Sequence, residues 1–129
     1  MSQVVLDSSA LVALIRSEAG ADMVEPLLPE TIMSAVNVAE VVKVLQRKGF
    51  SYDEATLSVS TLVGEISPYS RNEAYQSASF EEISKRYGLS LGDCACLALS
   101  KERSLPALTA DKAWKEAANH ISADVRLIR

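Results

Sequence analysis

Short apolar runs alternate along the chain with longer segments in which apolar residues recur at helical spacing. The first run, Val4 to Leu6, ends at the carboxylate of Asp7 and two hydroxyl residues, and a second apolar segment follows through position 15. This order predicts a buried strand, a charged tip and a helix that folds back over the strand. Ligands bind outside the carboxyl ends of the strands in an open parallel sheet, so Asp7 lies where a reaction would occur.

The same alternation continues to the end of the chain. Predicted strands occupy residues 4–6, 31–33, 107–109 and 125–128, and residues 66–69 form either a weak strand or an extended link. The predicted helices after the first occupy 21–28, 36–48, 51–64, 72–86, 90–102 and 111–118. Strands that alternate with helices imply right-handed crossovers and a parallel sheet that is covered on both faces. We therefore predict an α/β fold with three layers, α/β/α, around a central parallel sheet of four to five short strands.

Length and composition limit the class of protein. The chain has 129 residues, which suits one domain over 1–129 with a buried core but not two domains. No apolar run approaches the roughly 20 residues that span a bilayer, and a signal peptide is not recognisable, so we expect no membrane association and a cytoplasmic location. Cys94 and Cys96 are expected to be reduced core residues.

Four acidic residues stand at or near strand-to-helix junctions. Asp7 and Asp111 follow predicted strands, while Asp93 lies in the first turn of a predicted helix. Glu40 lies early in a helix that follows another strand. Each has an ordinary structural explanation on its own, since the three aspartates suit helix caps and Glu40 suits a solvent-exposed ion pair with Lys43.

Two features of the same segments go beyond capping. Either Ser8 or Ser9 can cap the first helix, which leaves Asp7 free for another role. Gly92 comes directly before Asp93, although a cap does not require a glycine there. It provides a position where another backbone or a ligand can approach closely.

Taken together, the four acids predict a metal site. Parallel strands end at one edge of the sheet, and two carboxylates that meet there about 4 Å apart repel by about 4 kcal/mol at an effective dielectric constant of about 20. A hard divalent cation, Mg²⁺ or Mn²⁺, relieves this repulsion because it prefers oxygen ligands and retains several waters. Such an ion is suited to phosphodiester hydrolysis, since it polarises the phosphoryl oxygen and activates the attacking water.

The net charge of −4 does not exclude a nucleic-acid substrate. The chain has 17 acidic and 13 basic residues, and when four acids are assigned to a metal the remaining 13 balance the 13 basic ones. Arg16, Lys43 and Lys112 lie near the acid-bearing segments and are candidates for holding substrate phosphates, although a solvated surface is the commoner role for any one of them. Trp114 is expected to pack in the core or in a dimer interface, and His120 is assigned no role.

The segments around the acids resemble a PIN-domain ribonuclease of the VapC type, the toxin of bacterial toxin–antitoxin pairs. The resemblance extends from the first strand to beyond the last acid. The matching segments are Val5-Leu6-Asp7-Ser8-Ser9-Ala10, Asn37-Val38-Ala39-Glu40, Leu89-Ser90-Leu91-Gly92-Asp93-Cys94-Ala95-Cys96-Leu97-Ala98 and Leu108-Thr109-Ala110-Asp111-Lys112-Ala113-Trp114. The Leu-Gly-Asp and Leu-Thr-Ala-Asp segments are the most specific of these.

This resemblance implies endonucleolytic cleavage of RNA with Mg²⁺ or Mn²⁺ as cofactor. Carried over by position, the catalytic acids are Asp7, Glu40, Asp93 and Asp111. The three aspartates Asp7, Asp93 and Asp111 are the implied metal ligands, and Asp7 and Asp93 are the first candidates for direct contact.

The resemblance also implies supporting groups and partners. Ser8 and Thr109 are candidate supporting hydroxyls, and Asn37 lies three residues before Glu40, so that both side chains project towards the same place. The family further implies a homodimer and a cognate antitoxin whose tail crosses the catalytic cleft.

Other acidic α/β proteins fit the sequence less well. A receiver domain of a response regulator usually has paired acids after its first strand, where this chain has only Asp7, and a lysine after its last strand, which here nearly ends the chain. An Asp-x-Asp phosphatase needs an acid at the position of Ser9. A non-catalytic PIN-like module that binds RNA or protein usually lacks site acids. The receiver and the non-catalytic module stay open as alternatives to a nuclease.

Overall fold

Residues 2–129, described by a computed structural model, form a parallel sheet, eight α-helices and one 3₁₀ segment. The strands are β1 Val4–Leu6, β2 Thr31–Ser34, β3 Glu65–Ser67, β4 Ala107–Thr109 and β5 Val125–Leu127. The helices are α1 Ser8–Ile15, α2 Ala21–Val24, α3 Ala35–Arg47, α4 Tyr52–Leu62, α5 Arg71–Ser79, α6 Glu81–Tyr87, α7 Leu91–Arg103 and α8 Ala113–Ile121. The 3₁₀ segment, Glu25–Glu30, lies between α2 and β2.

The five strands form one sheet in the order β3-β2-β1-β4-β5, and all neighbouring pairs are parallel. β1 lies at the centre, where Val5 pairs with Ile32 of β2 and with Ala107 of β4. Receiver domains have the strand order 2-1-3-4-5, so the receiver interpretation is wrong. Because every strand runs the same way, the residues that follow β1, β2 and β4 all emerge at one edge of the sheet.

Side chains alternate between the two faces of the sheet, and each face is covered by helices. Leu6 points into one core with Leu11 and Leu45, from α1 and α3. Val5 points into the other core with Leu97 and Trp114, from α7 and α8. The three-layer α/β/α fold and the five-stranded parallel sheet predicted from the sequence are therefore confirmed.

Two predicted helices are wrong in their extent. The helix over 72–86 is divided into α5 and α6 at Phe80, whose buried ring (5% exposed) packs into the core while its backbone leaves the helical path. The helix over 21–28 gives way after Val24 to the 3₁₀ segment, which contains Pro26 and Pro29. Proline has no N–H to donate and so interrupts regular helical bonding.

No helix of residues 2–129 is long and apolar enough to cross a membrane. Other predicted boundaries shift by smaller amounts. The segment predicted at 66–69 is β3 over Glu65–Ser67, and the helix predicted at 51–64 is α4 over Tyr52–Leu62. The helix expected at 111–118 begins at Ala113 and continues to Ile121. The last strand ends at Leu127 instead of residue 128.

Helix α7 ends at Ser104, whose φ of 54° lies in the left-handed region. A side chain is unfavourable there, whereas glycine is not. We expect Ser104→Gly to raise the unfolding free energy by about 0.5–1 kcal/mol, measured by urea denaturation. The matched control is Ser60→Gly within α4, which is expected to lower stability by a similar amount because glycine is a poor helix former. Equal effects of the two changes would contradict the explanation.

Candidate active site

Asp7 follows β1 at the centre of the sheet edge, and its side chain is buried with 4% exposure. Its Oδ2 accepts hydrogen bonds from Ser9 Oγ at 2.6 Å and from Thr109 Oγ1 at 2.8 Å. Ser9 Oγ in turn accepts a bond from the Ala110 N–H at 2.9 Å. These bonds tie the ends of β1 and β4 together and fix the carboxyl group of Asp7 in one orientation.

Burial raises the pKa of Asp7 from 3.8 to about 6. The hydroxyl bonds from Ser9 and Thr109 lower this pKa, but they do not offset the loss of hydration, and the nearby charge of Asp93 raises it further. The protein therefore holds a carboxylate where its charged form is disfavoured in the absence of a compensating charge.

The expected cap by Ser8 or Ser9 is wrong. Both serines lie inside the first turn of α1, and Asp7 occupies the N-cap position without a side-chain capping bond. Ser8 bonds to Glu40 and Ser9 bonds to Asp7, so both hydroxyls serve the acidic side chains. The sequence reasoning missed the role of Ser9, although a hydroxyl two residues after an acid is a recognisable signal.

Glu40 is held by one side chain from α1 and one from its own helix, α3. Its Oε1 accepts bonds from Ser8 Oγ at 2.6 Å and from Asn37 Nδ2 at 2.9 Å. Asn37 is fully buried, and its Nδ2 also donates to the carbonyl of Gly92 at 2.9 Å. Asn37 thus links α3 to the first turn of α7, and its supporting role in the site stays a prediction.

Gly92 is necessary because Glu40 packs against it. A Cβ atom built on Gly92 would lie 2.1 Å from Glu40 Oε2 and 2.4 Å from its Oε1. Such a contact is not possible, so a side chain at position 92 would displace the carboxylate. A close approach occurs at Gly92 as predicted, but the approaching group is the side chain of Glu40 and not another backbone or a ligand.

Asp93 caps helix α7 and also lies near the other acids. Its Oδ2 accepts a bond from the Ser90 N–H at 2.8 Å, and Ser90 Oγ accepts one from the Asp93 N–H at 3.1 Å, which completes a capping box for α7. Burial raises the pKa of Asp93, and the charges of Glu40 and Asp111 raise it further. The two interpretations of Asp93 are therefore compatible.

Asp111 is the most exposed of the four acids. It follows β4, and its Oδ1 accepts a bond from the Ala113 N–H at 3.0 Å at the start of α8. Its own N–H donates to Thr109 Oγ1 at 3.1 Å, so Thr109 contacts both Asp7 and Asp111. The structure brings all four predicted acids to one edge of the sheet.

The hydroxyl, amide and backbone bonds described above fall on one oxygen of each carboxyl group. Glu40 Oε2 and Asp111 Oδ2 take part in none of these bonds, and the buried Asn37 Oδ1 has no partner among residues 2–129.

Within residues 2–129, no three His, Cys, Asp or Glu side chains form a group that could hold a metal ion by themselves. An all-oxygen donor set with room for water suits Mg²⁺ or Mn²⁺, which are commonly bound through one or two carboxylates. Metal ligation by Asp7, Asp93 and Asp111 stays a prediction.

The predicted phosphate-binding cations lie on the surface. Arg16 pairs with Glu18 at 3.6 Å, and Lys43 and Lys112 form none of the ion pairs of the described chain. Trp114 is fully buried in the core, which confirms the expected packing role.

Two smaller predictions about single residues are also settled. The two cysteines are buried and free, as expected. His120 is exposed and contacts the hydroxyl of Tyr87 at 3.0 Å, away from the acids.

The raised pKa of Asp7 predicts how stability depends on pH. The metal-free protein should lose about 3 kcal/mol of unfolding free energy as the pH rises from 4 to above 6, since the unfolded chain ionises Asp7 at lower pH than the folded protein does. Asp7→Asn, which keeps an acceptor for Ser9 and Thr109, should raise stability at pH 7.5 by up to this amount and change little near pH 4.

Urea denaturation at the two pH values measures this difference. Asp124→Asn, at an exposed aspartate, is the matched control and should change stability by less than about 0.5 kcal/mol. A loss of stability on Asp7→Asn at pH 7.5 would contradict the burial cost.

Comparisons with known proteins agree with the geometry. The chain resembles FitAcB from Neisseria gonorrhoeae, with 21% identity, a TM-score of 0.70 and coverage of 95% of this chain and 96% of that one. It resembles a DNA-bound VapBC complex from Salmonella typhimurium, with 12% identity, a TM-score of 0.74 and full coverage of both chains. It also resembles VapC20 from Mycobacterium tuberculosis, a toxin that cleaves the sarcin–ricin loop, with 15% identity, a TM-score of 0.73 and coverage of 89% and 95%.

These likenesses at low identity establish the fold. A search of curated protein sequences finds no match. The sequence profile of the PIN domain matches residues 4–120, a segment that contains β1, all four acids and most of α8. The chain therefore belongs to the PIN-domain family.

Proposed function

We propose that the protein is a metal-dependent endoribonuclease that acts as the toxin of a toxin–antitoxin pair. The observation that carries this proposal is the set of four acids held at one sheet edge by specific hydrogen bonds. Membership of the PIN family supports a nuclease, and the similarity to VapC20 and to VapBC and FitAcB structures supports a toxin. The proposed substrate is RNA, and the proposed location is the cytoplasm.

The proposed cofactor is Mg²⁺ or Mn²⁺, held by Asp7, Asp93 and Asp111. When bound, the ion supplies a polarised phosphoryl oxygen and a water of lowered pKa. Ser9 and Thr109 orient Asp7, and the Ser90 N–H orients Asp93.

Glu40 has a separate part in the proposal. It is held by Ser8 and Asn37, and its Oε2 is free of those bonds, so it is placed to accept a proton from the attacking water. Arg16, Lys43 and Lys112 are proposed to hold phosphates on either side of the cleaved bond.

The proposed partners are a cognate antitoxin and a second copy of this chain. The neighbouring solved structures include toxin–antitoxin complexes, which supports the antitoxin. The proposal of a homodimer is supported only by the family resemblance. A non-catalytic binding module is less well supported, because all four acids are present and each is fixed by specific hydrogen bonds.

Removing a single charge from the site should abolish cleavage. Asp7→Asn and Asp93→Asn keep the size of the side chain and one acceptor oxygen, but remove the charge and replace the other oxygen by an NH₂ donor. Each is expected to lower Mn²⁺-dependent cleavage of structured RNA by at least about 100-fold. Chelation should abolish parental activity, and added Mg²⁺ or Mn²⁺ should restore it. The control Asp124→Asn should cleave like the parent. Parental rates in both site variants would refute the site assignment.

Filling the space at Gly92 should separate activity from stability. In Gly92→Ala the new methyl group displaces the end of a flexible side chain, Glu40, and the fold should persist because alanine favours a helix. Displacing the carboxylate should lower cleavage about 100-fold, with a melting temperature close to that of the parent. Gly49→Ala is the converse control: its Cβ meets no atom within 4 Å, but its φ of 100° is unfavourable for alanine, so it should lower the melting temperature and retain full activity. Parental activity in Gly92→Ala would show that the position of Glu40 is not needed.

A further inference from the structure

The chain returns to the acidic edge of the sheet after β5. Leu127 is in register with Thr109 of β4, and the Ile128 N–H donates to the Thr109 carbonyl at 3.0 Å. Arg129 follows Leu127 by two residues, as Asp111 follows Thr109. Neighbouring strands of a sheet lie about 4.8 Å apart. The backbones of Arg129 and Asp111 therefore emerge at the same edge of the sheet, from neighbouring strands.

The side chain of Arg129 is held by the loop between α1 and α2. Its Nη1 donates to the Ala19 carbonyl at 2.8 Å. Ile128 packs against Gly20 so closely that a Cβ atom built on Gly20 would lie 2.7 Å from the Ile128 carbonyl oxygen. The φ of 97° at Gly20 also favours glycine. These contacts fix the position of the Arg129 guanidinium group over this loop.

The same loop brings a second guanidinium group to this place. Arg16 lies 3.6 Å from Glu18 Oε2, and Arg129 lies 3.9 Å from Glu18 Oε1. Two guanidinium groups therefore share one carboxylate, and one positive charge is left over among the three side chains. Both distances exceed the roughly 2.7–2.9 Å of a charge-assisted hydrogen bond. The two arginine side chains are 34% and 39% exposed, so a ligand from solvent can reach them.

Most N–H donors of this arginine pair, Arg16 and Arg129, are unused. Among the side-chain hydrogen bonds of residues 2–129, Arg16 donates none and Arg129 donates only the one described above. Arg103, in contrast, donates to Glu65 at 2.7 Å. A guanidinium group is a planar fork of donors that matches two oxygens of a phosphate. A phosphate can therefore form the hydrogen bonds that Glu18 does not form with either arginine.

We propose that Arg129, together with Arg16, binds a phosphate of the RNA strand beside the acidic edge, and that Glu18 is the counter-ion that this phosphate replaces. Contacts to phosphate position a nucleic acid without reading its sequence. The arginine pair thus holds the strand next to Asp111 while the acids act on a neighbouring bond. The inference rests on the proposed ribonuclease function and adds Arg129, which the sequence did not single out, to the substrate-binding residues.

The salt dependence of RNA binding tests this site without cleavage. Fluorescence anisotropy with a single-stranded, fully 2′-O-methylated RNA and a chelator measures affinity between about 0.05 and 0.3 M salt, where each phosphate contact adds about 0.7 to the logarithmic slope. Arg129→Gln should lower this slope by about 0.7 and weaken binding about fivefold at about 0.1 M salt. The matched control is Arg126→Gln, at a 60% exposed side chain of β5, which should change the slope by less than about 0.2.

Two further variants separate phosphate binding from support of the loop. Arg129→Lys keeps the charge but lacks the fork, so it should keep the slope of the parent and bind about two- to threefold more weakly. Glu18→Gln removes the carboxylate that competes with phosphate, so it should bind the RNA at least about twofold more tightly than the parent. Weaker binding by Glu18→Gln, or an unchanged slope in Arg129→Gln, would overturn the proposal.

Cleavage kinetics distinguish this inference from the proposed function. With Mn²⁺, Arg129→Gln should raise KM for RNA about fivefold and change kcat by less than about twofold, because the contact is made equally before and during the reaction. A parental KM in an active Arg129→Gln variant would overturn the phosphate site and leave the nuclease intact. RNA binding with the expected slopes but no cleavage by the parent would support the phosphate site and refute the nuclease.

Discussion

The burial of the Asp7 carboxyl group at the end of the central strand is the constraint on which the rest of the site depends. The group sits at 4% exposure, and burial raises its pKa to about 6. Two hydroxyls, from Ser9 and Thr109, hold it against the end of β4 and offset only part of the lost hydration. A fold selected for stability alone would place an apolar or neutral residue here. The retained carboxyl group is therefore best explained by a charged ligand that it meets.

The other acids repeat this arrangement with different anchors. Glu40 is fixed by Ser8 and Asn37, and Asp93 by the backbone of its own helix cap. Gly92 allows Glu40 to approach α7 more closely than any side chain would permit. Each carboxyl group is held by specific hydrogen bonds, so its orientation is set before a cation binds. Preorganisation of this kind concentrates negative charge, and it accounts for both the cost to stability and the proposed affinity for a divalent ion.

Much of the fold and most of the site could be predicted because both follow from strand periodicity. Strands that alternate with helices imply a parallel sheet, and a parallel sheet brings the residues after β1, β2 and β4 to one edge. The division between α5 and α6 could not be predicted, because it arises from the tertiary packing of Phe80 and no glycine or proline marks it. The role of Ser9 was hidden for another reason. From the sequence alone, a serine two residues after an acid at a helix start can either cap the helix or donate a hydrogen bond to that acid, and Ser9 does the latter to Asp7.

Binding of Mn²⁺ to the full chain tests the central claim most directly. Calorimetric titration at pH 7.5 should give saturable binding to the parent, equal binding to the surface variant Asp124→Asn, and at least about tenfold weaker binding to Asp93→Asn. This outcome would show that Mn²⁺ binds at the acidic edge of the sheet, without the use of any RNA substrate. Equal affinity in the parent and Asp93→Asn, or no binding to the parent at millimolar Mn²⁺, would contradict the account.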